Sequence, residues 1–392
     1  MIAKRKLLWV GDDYRNKTGY GRVANHLFSN LDKDFIIYNY AIVCQGISKK
    51  YHVIDSNDGT SFGFNKIASV INVIKPDIVI LLNDAKIIYG WLLSLKDKLT
   101  HQCCLIPYVC TEYIGVPTQD IELYNQTTHA MMAMANFTIQ EFVSQGYQHQ
   151  CFRLSHGYPK TITKRDKAEC KRQLQIEPDT FVFFSGSKNQ PRKRLDIIIR
   201  AFVHFLKTHP QEKVLLMMNC GLIDSGWNIK QLYERLCREN GISDKEKHIY
   251  YCSDQLGDSN KNDEQLSIIY NASDVGITTS TGESFGLIPF EQSKLGIPQI
   301  IPNWGGIIEA VPHGTIKITP NDYYVYPLSL QSSNGEARTV YYQDVAEAMH
   351  KYYTDKDLYQ THCKEVTKNI EGYSWKEVSE QFLQIVNQIS PP

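Results

Sequence analysis

The chain has 392 residues, in which 42 lysines and arginines balance 42 aspartates and glutamates, with ten cysteines. At about 150 residues per domain the length predicts two domains of ordinary size. The charge balance argues against a general polyanion such as nucleic acid as partner, and no run reaches the ~18 apolar residues of a membrane span.

Read in chain order, short β-rich apolar runs alternate with longer amphipathic ones. KLLWVG (6–11) reads as a strand, GRVANHLFSNL (21–31) as a helix and FIIYNYAIV (35–43) as a strand. FNKIASVINVIK (64–75) has helical spacing, PDIVILLN (76–83) is a buried strand, and CLIPYVC (104–110) and AMMAMA (130–135) continue the series. A polar segment, 155–179, marks a domain junction. The alternation then restarts with TFVFFSG (180–186), RLDIIIRAFVHFLKTH (194–209), KVLLMMN (213–219), WNIKQLYERLCREN (227–240) and HIYYC (248–252). It runs on through EQLSIIYNAS (264–273), DVGITTS (274–280) and PQIIP (298–302), whereas 323–342 is loop-like with short strand pieces. The final stretch, 371–389, is an amphipathic helix after Ser374 with Glu377 as its capping-box partner. Apolar strands separated by helices predict parallel sheets covered on both faces, hence an α/β chain of two doubly wound Rossmann-like domains. A ligand is expected at the carboxyl ends of the strands, in a cleft between the domains.

No cysteines are spaced as C-x-x-C or as a zinc set, and scattered thiols fit a reducing compartment. The start MIAKRKLLWV has no signal-peptide pattern. A cytoplasmic location is the expectation, with contact at a membrane surface and the oligomeric state, a dimer included, left open.

Three stretches carry chemistry. In GESFGLIPFEQSKLGIPQII (282–301), Glu283 precedes a helix and Glu291 lies inside it, with Pro289 in the first turn and Gly296 as a stop. The amides of Ser284, Phe285, Gly286 and Leu287 would then face the sheet's carboxyl edge, where a helix start favours an anion. Glu291 could accept hydrogen bonds from a ribose and Glu283 from sugar hydroxyls; the plainer reading makes Glu283 a charge at a helix start and Glu291 a solvated acid. The second stretch, GSKNQPRKRLD (186–196), places Lys188, Arg192, Lys193 and Arg194 at a strand–helix junction on the same edge. Fixed cations there would stabilise a departing diphosphate. The third, GDDYRNKTGYGRVANHL (11–27), matches G-x-G-x-x-A at 19–24, but eight residues separate Val10 from Gly19, too many for the dinucleotide turn. Gly19, Tyr20 and Gly21 are read instead as a flexible loop whose amides approach a phosphate or an acceptor. Asp12 and Asp13 read as loop caps, and Asp355-Lys356-Asp357 lies far from any phosphate motif, so no metal site is assigned.

Together these residues resemble GT-B nucleotide-sugar glycosyltransferases, most of all glycosyltransferase family 4, the large retaining group. SIIYNASDVGITTSTGESFGLIPFEQSKLGIPQIIPNWGGIIEAV (267–311) is similar to that family's two-glutamate signature, including Asp274, Gly305-Gly306 and Glu309. The resemblance implies that Glu283 touches the donor sugar, the 285–287 amides the sugar and diphosphate, and Glu291 the ribose. The family's G-R-x(4)-K clamp maps onto Lys188 and Lys193, with lysine in place of arginine at the first position and Arg192 as compensation. Glu112 in TEYIGVP (111–117) corresponds to an acid facing the cleft, and His156 in LSHGYP (154–159) to a turn at the domain junction. The domains implied are 1–160 for the acceptor, 161–372 for the donor, and a helix at 373–392 crossing back to the first. Implied too are retention of anomeric configuration, no metal or other cofactor, a GDP- or UDP-hexose donor, and a glycan or glycoconjugate acceptor. NQPRKRLD (189–196) resembles mannosyltransferase relatives, which leans the donor towards GDP-mannose, and residues near 250–256 are expected to stack on the base. The alternatives are a sugar-nucleotide epimerase or hydrolase, an NAD(P)-dependent oxidoreductase, a silent sugar-binding module, and a glycosidase using Glu283 and Glu291.

Overall fold

The computed structural model describes residues 4–209, 212–256, 261–327 and 334–391. The chain forms two compact units, and neither is contiguous in sequence. The first comprises Met1–Gly157, Val325–Glu336 and Gly372–Pro392, the second Tyr158–Tyr324 and Ala337–Glu371. Val325–Glu336, which the sequence counted with the second domain, falls in the first unit, where Glu336 forms an isolated antiparallel bridge with Ile114.

In the first unit, β1 (Arg5–Asp12), β2 (Phe35–Ile42), β3 (His52–Asp55), β4 (Ile78–Asp84), β5 (Cys104–Cys110), β6 (Met131–Ala133) and β7 (Cys151–Arg153) form one sheet. Their order is β3-β2-β1-β4-β5-β6-β7, and every pairing is parallel. Leu7, Leu8, Trp9 and Val10 are fully buried, which is why the central strand reads as an unbroken apolar run. The last helix, Trp375–Ile389, completes this core. Ser374 and Glu377 cap it reciprocally as the sequence predicts. The ring of Phe382 packs 6.4 Å from that of Trp9, and Trp375 stacks on His26 at 5.0 Å.

In the second unit, β8 (Phe181–Ser185), β9 (Val214–Met218), β10 (Ile249–Tyr251), β11 (Val275–Ile277), β12 (Gln299–Pro302) and β13 (Thr315–Ile318) make a second parallel sheet. Its order, β10-β9-β8-β11-β12-β13, reverses direction at β8/β11. Loops leaving adjacent strands diverge at such a switch point and open a crevice at the carboxyl edge. Two of the three sequence stretches singled out above, 186–196 and 282–301, follow these two strands. The core between sheet and helices is built from Phe183, Phe202, Phe205, Leu216 and Met349 among others. Two further short strands, β14 (Asp322–Val325) and β15 (Glu336–Thr339), pair with each other. Among the described residues, no helix is long and apolar enough to cross a membrane.

Candidate active site

At the β8/β11 switch point the two loops are stitched together. The loop after β8 turns through the short helix Pro191–Lys193 and enters the helix Leu195–Thr208 at Arg194, whose φ is 48°. The Arg192 carbonyl accepts the amide of Thr281 at 2.8 Å, and the Arg194 carbonyl accepts the Thr279 hydroxyl at 2.8 Å. In return the Arg192 guanidinium donates to the Gly282 carbonyl at 3.1 Å. These bonds deliver the Glu283 carboxylate to the Lys193 ammonium, with which it forms an ion pair, and to Arg192, whose Nη1 lies 3.6 Å away. Burial alone would raise the Glu283 carboxyl; the charges of Lys193 and Arg192 outweigh it and hold the group below its ordinary range.

The backbone of Glu283 is fixed as firmly as its side chain. Its carbonyl accepts the Gly306 amide at 2.7 Å, and Gly305, at φ 79°, lies so close that an added Cβ would stand 3.0 Å from that oxygen. The Gly-Gly pair of the signature is thus a close-approach device. Gly286, at φ 88°, caps the helix Leu287–Ser293, and Phe285 meets Phe290 edge-on at 4.9 Å. Ser284 and Phe285 are buried.

The remaining sequence candidates fall out differently. Lys188 is exposed, but its neighbour Asn189 is fully buried. The Asn189 amide donates to the carbonyls of Gly221 and Trp227 at 2.9 and 2.7 Å and accepts the Trp227 amide at 2.9 Å. Arg194 leaves the basic cluster: its guanidinium grips Asp196 through two bonds, 3.0 and 2.9 Å, and Thr339 at 3.0 Å. Glu291 is buried rather than solvated, and the Tyr270 hydroxyl donates to it at 3.2 Å. Tyr250 and Tyr251 lie in β10 and the helix Cys252–Leu256 follows.

In the first unit the switch point lies between β1 and β4. Gly19, Tyr20 and Gly21 are not a flexible loop but the first turn of the helix Gly19–Leu31, capped by Thr18. The loop is 13–18, ordered by Asp13, whose buried carboxylate pairs with Arg15 at 2.6 Å and accepts the Gln45 amide at 2.9 Å. Gly21 abuts the loop, since a Cβ there would stand 2.4 Å from the Asn16 carbonyl oxygen. The Tyr20 hydroxyl donates to Asp84 at 2.6 Å. Asp84 was missed in the sequence, although an acid ending a buried strand at the carboxyl edge is a usable signal. Asp12 accepts from Thr18; burial and the nearby Asp84 and Asp13 charges raise its carboxyl above the ordinary value despite that bond. Glu112 follows β5 at the same edge, half-buried. His156 is not at a solvent-facing edge: it is buried against Tyr108 and Trp375, and burial lowers it to about 3, leaving a neutral imidazole.

Residues 166–324, which hold the whole Lys193–Glu283 assembly, match the family Glycosyl transferases group 1. The match lies within the second unit and covers about two fifths of the chain. The fold matches that of GT-B structures. A glycosyltransferase of Rickettsia africae ESF-5 superposes with a TM-score of 0.73 at 15% identity, over 99% of both chains. Anabaena Alr3699/HepE, in complex with UDP and glucose, gives 0.72 at 14% identity over 98% of this chain and 99% of its own. Among curated proteins, D-inositol 3-phosphate glycosyltransferase of Actinosynnema mirum is 25% identical over 229 residues, 58% of this chain and 49% of its own. A second such enzyme, from Catenulispora acidiphila, is 28% identical over 151 residues, 38% of this chain and 33% of its own. The chain thus spans about a third to a half of the length of the curated relatives it matches.

Proposed function

We propose that the protein transfers a hexose from a nucleoside-diphosphate sugar to a hydroxyl acceptor with retention of configuration. The carrying observation is the Lys193–Glu283–Arg192 cluster at the β8/β11 switch point, within the matched domain. Glu283 is an ionised carboxylate in a buried setting, suited to accept hydrogen bonds from donor-sugar hydroxyls. Lys193 and Arg192, with exposed Lys188 beside them, supply fixed positive charge for the diphosphate. That charge does the electrostatic work a bound metal would otherwise do, so the reaction is proposed to be metal-independent.

In the step proposed, the bond from the sugar's anomeric carbon to the diphosphate oxygen breaks and a bond to the acceptor oxygen forms on the same face. The acceptor proton passes to the departing phosphate oxygen, while Lys193 and Arg192 stabilise the negative charge left on it. Glu291, with one oxygen on Tyr270, is assigned to the ribose, and the β1/β4 edge with Tyr20, Asp84 and Glu112 to the acceptor. UDP and GDP donors share this chemistry; the lean towards GDP-mannose rests on NQPRKRLD alone, and the Anabaena structure holds UDP and glucose.

Calorimetric titration of the purified chain with UDP- and GDP-hexoses tests the donor assignment. Saturable binding of one donor, lost in Lys193→Ala, is expected; no binding of any donor overturns it. The anomeric coupling constant of the product, read by NMR, tests retention. Donor turnover at full rate without acceptor would instead indicate an epimerase or hydrolase.

A further inference from the structure

The helix Leu195–Thr208 runs roughly 20 Å from Lys193 to its far end, at 1.5 Å per residue. At that far end stands a pair of imidazoles with no part in donor chemistry. Nε2 of His209 lies 3.1 Å from Nδ1 of His350, on the helix Tyr342–Thr354.

The tautomer of His209 follows from its neighbours. Its Nδ1 lies 3.1 Å from the Phe205 carbonyl and 2.9 Å from the Thr208 hydroxyl oxygen. That hydroxyl already donates its proton to the Phe205 carbonyl at 2.9 Å, so both neighbours act as acceptors and Nδ1 carries the hydrogen. Nε2 therefore presents a lone pair towards His350. An Nδ1–H held by a backbone carbonyl, with Nε2 directed outward, is the arrangement that orients metal-ligating histidines. Stacking on Phe205, with centroids 4.3 Å apart and an interplanar angle of 11°, fixes the ring further.

The spacing also fits. Two nitrogens bound to one ion at 2.0–2.1 Å lie roughly 2.9 Å apart at a right angle and about 3.3 Å apart at the tetrahedral angle. The observed 3.1 Å falls between these. Among the described residues, no set of three or more His, Cys, Asp or Glu groups surrounds the pair, which leaves the other positions to water. We propose that His209 and His350 form a two-histidine site for a divalent transition metal of the Zn²⁺ class, fastening the end of the helix Leu195–Thr208 to the helix Tyr342–Thr354. Occupancy requires the His350 proton to move from Nδ1 to Nε2, a tautomeric shift that releases no net proton.

The test uses the untagged full chain, stripped with EDTA, desalted and titrated with ZnCl₂ at pH 7.5 against a chromophoric chelator. His350→Gln and His209→Gln remove one ligand each, and circular dichroism confirms their fold. The wild type is expected to bind one Zn²⁺ per chain more than either variant, and its thermal midpoint alone to rise by several degrees with the ion. Equal zinc uptake by all three proteins overturns the proposal, because the cysteines common to them would then account for all binding. Donor affinity is expected to be unchanged in both variants, so the outcome is independent of the glycosyl-transfer reading.

Discussion

Lys193 and Glu283 stand 90 residues apart in the chain, yet their charged groups meet as an ion pair at the carboxyl edge of the second sheet. Each group needs the other. Without its lysine the carboxylate keeps only Arg192 against the cost of burial, and removing one partner of such a pair costs far more than the pair gains over neutral packing.

Lys193→Ala and Glu283→Ala are each expected to lower glycosyl transfer by about 10²–10³-fold, the range for loss of one preorganised electrostatic group. Because the two act as a unit, the double variant should lose little more than either single one. Steady-state rates of all three proteins, with circular dichroism as fold control, check this. A double loss equal to the product of the single losses would show the pair acting separately.

The pH profile carries a signed expectation. Glu283 is held below its ordinary carboxyl value, 4.5, so the form competent for hydroxyl binding persists to lower pH than that. The acidic limb of kcat/KM due to this group therefore lies below pH 4.5 in the wild type. In Lys193→Met burial is opposed by Arg192 alone, and the limb should move upward. A limb that stays fixed in the variant would assign it to another group.

Gly21→Ala pits two effects against each other. Alanine in a helix gains about 1 kcal/mol over glycine. Here, however, the new Cβ would stand 2.4 Å from the Asn16 carbonyl oxygen and 2.9 Å from that of Asp13, both backbone atoms. Overpacking of this kind costs roughly 1–3 kcal/mol or more, so the clash should win and the variant should be less stable. Urea denaturation measures the difference, and a stabilised variant would show that loop 13–18 yields freely.

Asp274 joins Lys167 at 2.6 Å, Lys171 at 2.9 Å and the Val182 amide at 2.8 Å. Burial raises its carboxyl, but the two lysines outweigh that and leave it below the ordinary 3.8. Such a depressed group contributes stability that is fully present above its unfolded value and is lost as pH falls through the lower folded one. Asp274→Asn should cost about 3–5 kcal/mol near neutrality, since it leaves the buried Lys171 without its carboxylate. It should also flatten the acid dependence of the urea midpoint below about pH 4. An unchanged acid limb would place the dependence elsewhere.

Much of this was legible because strand and helix signals are local. The apolar run of β1 and the Ser374 capping box follow from neighbouring residues, and so does the placing of both charged loops after strands. What the sequence hid depends on the folded path of the backbone and on partners far along the chain. Arg192, Lys193 and Arg194 look alike in RKR, yet backbone geometry turns Arg194 onto Asp196 and the other two towards Glu283. Glycines 19 and 21 suggested a loop because glycine usually marks one; the crowding of Gly21 by Asn16 becomes visible only once the chain is folded. His156 was placed only at a turn of the domain junction, because its burial against Tyr108 and Trp375 cannot be read from neighbouring residues.

The interleaving of the two units bears on how the protein is made. Trp9 is synthesised well before Phe382, which packs on it from 373 positions further along the chain. At about 5–20 residues per second, roughly 20–75 s of translation separate the two. For most of that interval the first unit lacks part of its own interior, and the second awaits Ala337–Glu371, which brings Met349 to its core. A nascent chain halted shortly after residue 371 would thus hold every segment of the second unit and still expose the apolar surface that the closing helix covers in the first.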